Sequence, residues 1–187
     1  MSIIISCNDS DALHEFVDEI VNILRAFCMD PYGEVQRTAC QCLSEFCRNN
    51  HPMLLHFTEP MARALLFPLI SKKSRIKIAA LEAMGSVLGC GIWKHNAFVF
   101  EILTGFRDPN SIPIKAFYEP MHNINYLATL IIDPKAQVRE MFIGSVGDWL
   151  TRLADRWDHH ARLVPYILSG LFDDNADIRE ASQVTIE

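Results

Sequence analysis

One short pattern recurs four times along this chain, and it constrains the possible fold more than any other feature. Each copy has Asp or Ser, then four mostly polar residues, then a β-branched aliphatic residue. The copies are residues Asp30–Val35, Ser71–Ile76, Asp133–Val138 and Asp173–Ile178. The aliphatic residues are 41 positions apart in the first two copies and 40 apart in the last two. A period near forty is typical of repeated helix pairs.

The residues around each copy repeat at helical spacing. Six positions before each copy stands an apolar residue: Leu24, Leu65, Leu127 and Ile167. Four positions after each β-branched residue stands a small or apolar residue or, in the last copy, a serine: Ala39, Ala80, Phe142 and Ser182. This spacing predicts a helix on each side of a tight turn. Asp30-Pro31 and Asp133-Pro134 predict an N-cap followed by a first-turn proline. Neither helix can bury its apolar stripe alone, so we expect a right-handed, all-α solenoid of stacked pairs.

The predicted helices and repeat units follow from this register. The helices are expected at 11–29, 34–49, 53–70, 74–89, 95–106, 119–132, 135–153, 159–172 and 175–187. After a tail at 1–10, the solenoid at 11–187 divides into four HEAT-like units, about 11–50, 51–90, 91–154 and 155–187. Because the last helix ends without a polar cap, we expect the chain to be a fragment of a longer solenoid.

The third unit is longer than the others. Ile76 and Val138 are 62 positions apart, and the excess falls within 91–120, where Asp108-Pro-Asn-Ser-Ile-Pro113 breaks any regular element. We interpret the excess as an inserted helix followed by a loop. The alternative is a further helix pair whose second helix is degenerate.

Composition and charge exclude several classes of function. The chain has 187 residues, is 50% hydrophobic and carries a net charge of −6, which disfavours nucleic-acid binding. No apolar run is long enough to cross a bilayer, and the first residues lack the basic region of a secretory signal, so we expect a cytosolic or nuclear protein. The six cysteines show no zinc-ligand spacing, and Cys40, Cys42 and Cys47 are expected to be core thiols rather than metal ligands.

An Asp and an Arg stand six positions apart in two of the turns and seven apart in the first, where Gln36 occupies the equivalent position. We call this set the turn ladder: Asp30, Arg37, Asp133, Arg139, Asp173 and Arg179. We expect these residues to cap helices and to form hydrogen bonds between repeats.

Three further features are candidates for partner binding. The only dense basic cluster is Lys72, Lys73, Arg75 and Lys77, which begins a helix where cations are disfavoured. Trp157 lies among charged residues in a predicted inter-repeat loop, whereas Trp149 has the spacing of a core residue. The predicted loop at 107–119 carries Phe117 and Tyr118. For each feature the alternative is a solvated turn or packing between repeats.

No pattern in the sequence indicates catalysis. The glycines match neither a phosphate-binding loop nor a dinucleotide fingerprint, and there is no nucleophile elbow. His159 and His160 lack an identifiable third ligand or nucleophile. We therefore predict no catalytic, metal-binding or cofactor-binding residues.

The repeats resemble HEAT repeats, which share the forty-residue period and the Asp-x4-[Val/Ile]-[Arg/Lys] turn. A closer resemblance, to the dynein axonemal assembly factor 5 family, rests on Gly147-Asp-Trp-Leu150, on Leu153-Ala-Asp-Arg156 and on the stretch from Leu163 to Asp173. The helix that begins at Ser74 is also similar to that family, whereas the insertion at 91–120 departs from it. The resemblance implies a non-enzymatic cytoplasmic factor for the preassembly of dynein arms, with dynein chains and chaperones as partners.

The functional hypothesis is therefore a protein-binding scaffold whose second helices present an extended surface to a client. One alternative is a HEAT-repeat adaptor of another system, such as a transport receptor or a phosphatase scaffold. A second is a helical-repeat nucleic-acid-binding protein, which the net charge disfavours.

Overall fold

A computed structural model describes residues 15–49, 51–91, 93–105 and 124–187. Within these ranges every regular element is a helix. The nine α-helices are α1 Val17–Cys28, α2 Gly33–Asn49, α3 Thr58–Leu69, α4 Ser74–Cys90, α5 Trp93–Thr104, α6 Tyr126–Ile131, α7 Ala136–Arg152, α8 Arg156–Gly170 and α9 Ala176–Ile186. A short 3-10 helix at His51–Phe57 leads into α3. The prediction of an all-α fold is confirmed.

The helices stack as two layers of a solenoid, as the repeat pattern predicts. The second helices of the repeats, α2, α4, α7 and α9, contact one another in that order. The first helices form the other layer, in which α1 packs on α3, α3 packs on α5, and α5 and α6 both pack on α8. The repeats therefore follow each other as α1–α2, α3–α4, α6–α7 and α8–α9.

The extra length of the third repeat enters the first-helix layer alone. Helix α5 packs against α3, α6 and α8, whereas α4 contacts α7 directly. Among the described residues no second helix stands between α4 and α7. The described part of the excess is thus an additional first-layer helix, and the second-helix layer continues past it.

The repeat register is visible in the burial of equivalent residues. Ile76, Val138 and Ile178 are each no more than 1% exposed, whereas Val35 is 36% exposed. Ile76 packs on the preceding turn, since a Cβ on Gly33 would stand 2.8 Å from its Cδ1 atom. Val35 lies in the first repeat, where no earlier turn among the described residues covers it.

Four predicted helices begin elsewhere among the described residues; the two expected from 11 and from 119 begin at Val17 and at Tyr126. The prediction of one helix over 53–70 is wrong, because the α-helix begins only at Thr58. Pro60 lies in the first turn of α3, where its missing N–H is tolerated, but its ring excludes the carbonyl of His56, so the α-helix does not extend back beyond that turn. The helix predicted at 159–172 begins instead at Arg156, so Asp158 lies in its first turn and does not cap it.

The two aspartates predicted as N-caps lie outside the helices that follow them. Helix α7 begins at Ala136, and Lys135 occupies its N-cap position. Asp133 Oδ1 accepts a hydrogen bond from the Lys135 backbone N–H at 2.8 Å, and Asp30 Oδ1 accepts one from the Tyr32 N–H at 2.7 Å. Each aspartate therefore stabilises the turn two residues ahead, which is the geometry of an Asx-turn.

Candidate functional site

Charged side chains connect the later repeats across their turns. Arg139 binds Asp173 of the next repeat through two hydrogen bonds, Nε to Oδ2 at 2.7 Å and Nη2 to Oδ1 at 2.8 Å. Its Nη1 atom also donates to the backbone carbonyl of Asp133 at 2.8 Å. One guanidinium therefore joins its own turn to the following turn, and the bidentate geometry fixes their relative position.

The Arg139–Asp173 pair is largely buried. The two side chains are 11% and 7% exposed. The Arg139 guanidinium holds the pKa of Asp173 well below its usual range, with a further contribution from the Asn175 backbone N–H. Reciprocally, Asp173 raises the pKa of Arg139. Both groups thus remain charged at neutral pH and contribute to stability as a pair.

An equivalent link joins the second and third repeats. Lys77 occupies the position of Arg139, and its ammonium group pairs with Asp133, which is 4% exposed. Lys77 is one of the four residues of the basic cluster. Because it pairs with Asp133, it joins the second repeat to the third and its charge is not available to a partner. The link also spans the inserted first-layer helix, since it connects α4 to the turn before α7.

Among the described residues, the ladder arginines of the first and last turns form no such link to a following repeat. Arg37 binds Glu34 at 3.1 Å and Gln41 at 3.2 Å, both on its own helix. The first repeat has the nearly buried Gln36 at the equivalent position, and the second has Ser71 in place of aspartate. Arg179 donates to the backbone carbonyls of its own turn, Asp173 at 2.7 Å and Asp174 at 3.0 Å.

The basic cluster is divided between paired and exposed residues. Arg75 reaches back to Glu34 of the first repeat at 2.5 Å. The pKa of the Glu34 carboxyl is lowered chiefly by its hydrogen bond to Arg37, with smaller contributions from Arg75 and Lys73. Lys72 and Lys73 are exposed, although a Cβ on Gly33 would stand 3.1 Å from the Lys73 ammonium nitrogen. The charge available to a partner here is therefore mainly that of these two lysines.

Trp157 lies on a helix and not in the loop predicted for it. It occupies the first turn of α8 and is 69% exposed. Its ring lies against His160, with centroids 4.6 Å apart, and the Arg156 guanidinium stands 5.3 Å from the ring centroid. The other two aromatic candidates, Phe117 and Tyr118, lie outside the described residues.

A buried polar network connects the additional helix to the fourth repeat. Asn96 of α5 donates to Asp155 at 3.1 Å, and Asp155 contacts His159 Nε2 at 2.8 Å. The His159 ring also packs on Phe100 of α5. The sequence pattern did not predict this contact, because it joins an irregular segment to a regular repeat. It gives Asp155 and His159 a role in positioning α5.

The buried thiols make no metal centre among the described residues. Cys28, Cys40, Cys47 and Cys90 are buried, and Cys42 is partly exposed. A neighbouring thiol and burial raise the pKa of Cys40 and that of Cys47. No group of three potential ligands lies close enough to hold a metal ion in the part of the chain that the structure describes.

An open groove of about 720 Å³ lies between α4 and α7 on the second-helix layer. We call it the α4–α7 groove. Small residues and one tryptophan form much of its lining: Gly85, Ser86 and Gly89 on α4, and Gly144, Ser145 and Trp149 on α7. Arg48, Glu82, Asp148 and Arg152 bring charge to it. The sequence shows small residues in the second helices, but the repeat pattern carries no information on how far apart the helices stand.

None of the described helices combines the length and apolar character that crossing a bilayer requires.

Comparisons with known proteins agree with this arrangement of helix pairs. The profile of a family described as "Dynein axonemal assembly factor 5-like, TPR repeats" matches residues 1–105 and 120–187. The match includes α5 and omits residues 106–119. TPR and HEAT repeats are both helix pairs, and the period of 40–41 residues here is longer than the roughly 34 of TPR repeats. No solved structure matches the chain significantly.

Three curated relatives carry the name dynein axonemal assembly factor 5. Those of Xenopus laevis and Mus musculus are each 25% identical over 171 residues, which is 90% and 91% of this chain. The Homo sapiens protein is 25% identical over 169 residues, or 90% of this chain. The chain spans 17% of the length of each of these relatives. Since the profile match extends over nearly the whole chain, the chain belongs to the dynein axonemal assembly factor 5-like family of helical-repeat proteins.

Proposed function

We propose that this chain is a protein-binding scaffold that acts in the cytoplasm during the preassembly of axonemal dynein arms. Its relatives are named as assembly factors for axonemal dynein, and that name supports dynein chains as clients. The proposed mechanism is presentation of the second-helix layer to a folding client and its chaperones. Repeated helix pairs are suited to this task because each adds a similar unit of surface.

The α4–α7 groove is the observation that carries the mechanism. It opens on the second-helix layer, where α2, α4, α7 and α9 follow one another. Each wall has one exposed glycine, Gly89 on α4 and Gly144 on α7, with partly exposed serines nearby, and these small residues leave the helix backbones accessible. A groove of this volume is large enough for part of a polypeptide, and its mixed charges can orient one.

We further propose auxiliary contacts outside the groove. Lys72 and Lys73 supply exposed positive charge beside the turn of the second repeat, and Trp157 supplies an exposed aromatic surface on α8. The segment with Phe117 and Tyr118 is proposed as a third contact. The four units at about 11–50, 51–90, 91–154 and 155–187 are proposed to continue into a longer solenoid.

Affinity purification of the tagged chain from ciliated or flagellated cells tests the proposal. The expected result is enrichment of axonemal dynein heavy chains together with chaperones, relative to a tagged unrelated helical-repeat protein. Recovery of nuclear-transport cargo or phosphatase subunits without dynein chains would contradict the proposal and favour an adaptor of another system. A salt-dependent affinity for DNA would favour the nucleic-acid alternative.

A further inference from the structure

Gly144 differs from two other helical glycines, Gly147 and Gly170, in what surrounds it. A Cβ on Gly147 would meet Thr185 at 3.0 Å, and one on Gly170 would meet Ile143 at 2.8 Å, so close packing explains both. A Cβ on Gly144 would meet nothing within 4 Å. Gly144 is exposed in the interior of α7, where glycine is less favourable than alanine. Within the described chain, packing does not require a glycine there.

Trp149 provides a second and independent observation at the same groove. Its side chain is only 3% exposed and its ring packs on Phe100, with centroids 5.7 Å apart. Its Nε1 atom stands 3.3 Å from the position of a Cβ on Gly85, a residue of the groove wall. The indole N–H has no hydrogen-bond partner among the described residues, and it is not one of the fully buried unpaired donors, so it is accessible from the groove. A donor that faces an open groove can bind a ligand that brings an acceptor.

The charges at the groove indicate how such a ligand would be oriented. Arg48 lies one turn beyond Ser44, which faces Ser86 at 2.8 Å, so Arg48 stands beside the C-terminal part of α4. Its guanidinium contacts the Ser44 hydroxyl at 2.9 Å and pairs with no carboxylate among the described residues. Glu82 lies nearer the N-terminal end of α4. An acidic residue of a ligand would therefore be placed at the Arg48 end.

From these observations we propose that the α4–α7 groove binds a short extended segment of a partner polypeptide. A backbone carbonyl of the segment accepts the Trp149 N–H, and an acidic side chain faces Arg48. Most carbonyls of a helix are already hydrogen-bonded within the helix, whereas those of an extended segment are free. The absence of a side chain at Gly144 lets the segment's backbone approach α7. The proposal rests on the scaffold function proposed above and specifies its ligand.

The length of the groove agrees with a segment of a few residues. The groove wall on α4 runs from Leu81 to Gly89, a helical rise of roughly 12 Å. An extended chain covers that distance in about four residues. A phage-displayed library of random 12-residue peptides, panned on the immobilised chain, is therefore a sufficient probe that does not depend on the identity of the client.

The binding of a selected peptide is then measured by fluorescence polarisation with the wild-type chain and three variants. Gly144→Leu fills the groove and should weaken binding at least tenfold. Trp149→Phe removes the N–H and should weaken binding about threefold to tenfold. Ala26→Leu places the same side chain on the exposed surface of α1, away from the proposed contacts, and should leave the affinity unchanged. A proline at the centre of the peptide should be tolerated, since an extended segment does not need a helical backbone.

Each alternative result overturns the proposal. The groove would not be a peptide-binding site if no peptide could be selected. The same would follow if Gly144→Leu bound the peptide as tightly as wild type at an unchanged melting temperature. Loss of binding on central proline substitution, with a helical circular-dichroism signal on binding, would identify a helical ligand. Wild-type dimers that Gly144→Leu abolishes in sedimentation would identify a second copy. Dynein capture without any peptide binding would refute this inference and leave the proposed function standing.

Discussion

The first junction of the solenoid and the later two are stabilised in different ways. Between the first two repeats, α2 and α4 have the most extensive helix–helix contact among the described elements, with Cys40, Leu43 and Ala80 in the core. The later junctions have less contact between second helices and carry the largely buried links Lys77–Asp133 and Arg139–Asp173, whereas the first junction carries the exposed pair Arg75–Glu34. The α4–α7 groove lies at one of the later junctions.

The largest effect should come from removing the best-formed link. Arg139→Ala leaves the nearly buried Asp173 carboxylate without its guanidinium, and we expect a loss of about 3 kcal/mol in the free energy of unfolding. Arg37→Ala is the matched control in the first repeat, where the ion pair is with Glu34 of the same helix. The control should change stability by less than about 0.5 kcal/mol. Urea unfolding measures both, and equal losses would contradict the distinction between the junctions.

The equivalent valines of the first and third repeats give the next comparison. Val138 is fully buried and Val35 is 36% exposed. We expect Val138→Ala to cost about 1–3 kcal/mol in the free energy of unfolding and Val35→Ala to cost less than about 1 kcal/mol. Chemical denaturation of the two variants checks the repeat register. A larger cost at Val35 would mean that the first repeat packs differently from the structure.

Acid should weaken the third-to-fourth junction specifically. The pKa of Asp173 is lowered in the folded state, so its contribution is complete above its unfolded value of about 3.9 and is lost as the pH falls through the depressed folded pKa. Asp173→Asn should cost about 1.5 kcal/mol at pH 7. That difference from wild type should shrink between pH 4 and pH 2 in urea titrations. A difference that stays constant over this range would show that the carboxylate's charge contributes nothing.

The smallest expected effect is a gain in stability at the groove. Gly144→Ala should stabilise the chain by up to about 1 kcal/mol, because the added methyl meets no other atom and alanine is the better helix residue. Gly147→Ala should destabilise it, since the methyl would meet Thr185 at 3.0 Å. Thermal unfolding compares the two variants. If Gly144→Ala destabilised the chain, packing would explain the glycine at this position, and it would no longer support a ligand in the groove.

Periodicity predicts the repeats, but not the distances between them. The register that makes Ile76, Val138 and Ile178 equivalent follows from apolar spacing alone, and the structure buries all three. Sequence offsets also find Asp133 and Arg139 together. They cannot show that Arg139 binds the Asp133 carbonyl and extends its guanidinium to Asp173, because that choice depends on the stacking of whole repeats.

Apolar periodicity does not predict the irregular features of the structure, for local physical reasons. Pro60 shortens a predicted helix through steric exclusion that the apolar pattern does not record. The contact of Asn96 with Asp155 spans 59 positions and joins a helix that has no equivalent in the other repeats. The groove depends on the separation of α4 and α7, and no single residue type marks it. Functional surfaces of a solenoid are therefore less predictable than its core.

The most direct test of the account is client capture by the groove variants. Axonemal dynein heavy chains that co-purify with the tagged chain are quantified for wild type, Gly144→Leu and the surface control Ala26→Leu. We expect equal capture by wild type and Ala26→Leu, and a loss of at least fivefold with Gly144→Leu at an unchanged melting temperature. Undiminished capture by a folded Gly144→Leu chain would contradict the claim that the second-helix groove holds the client.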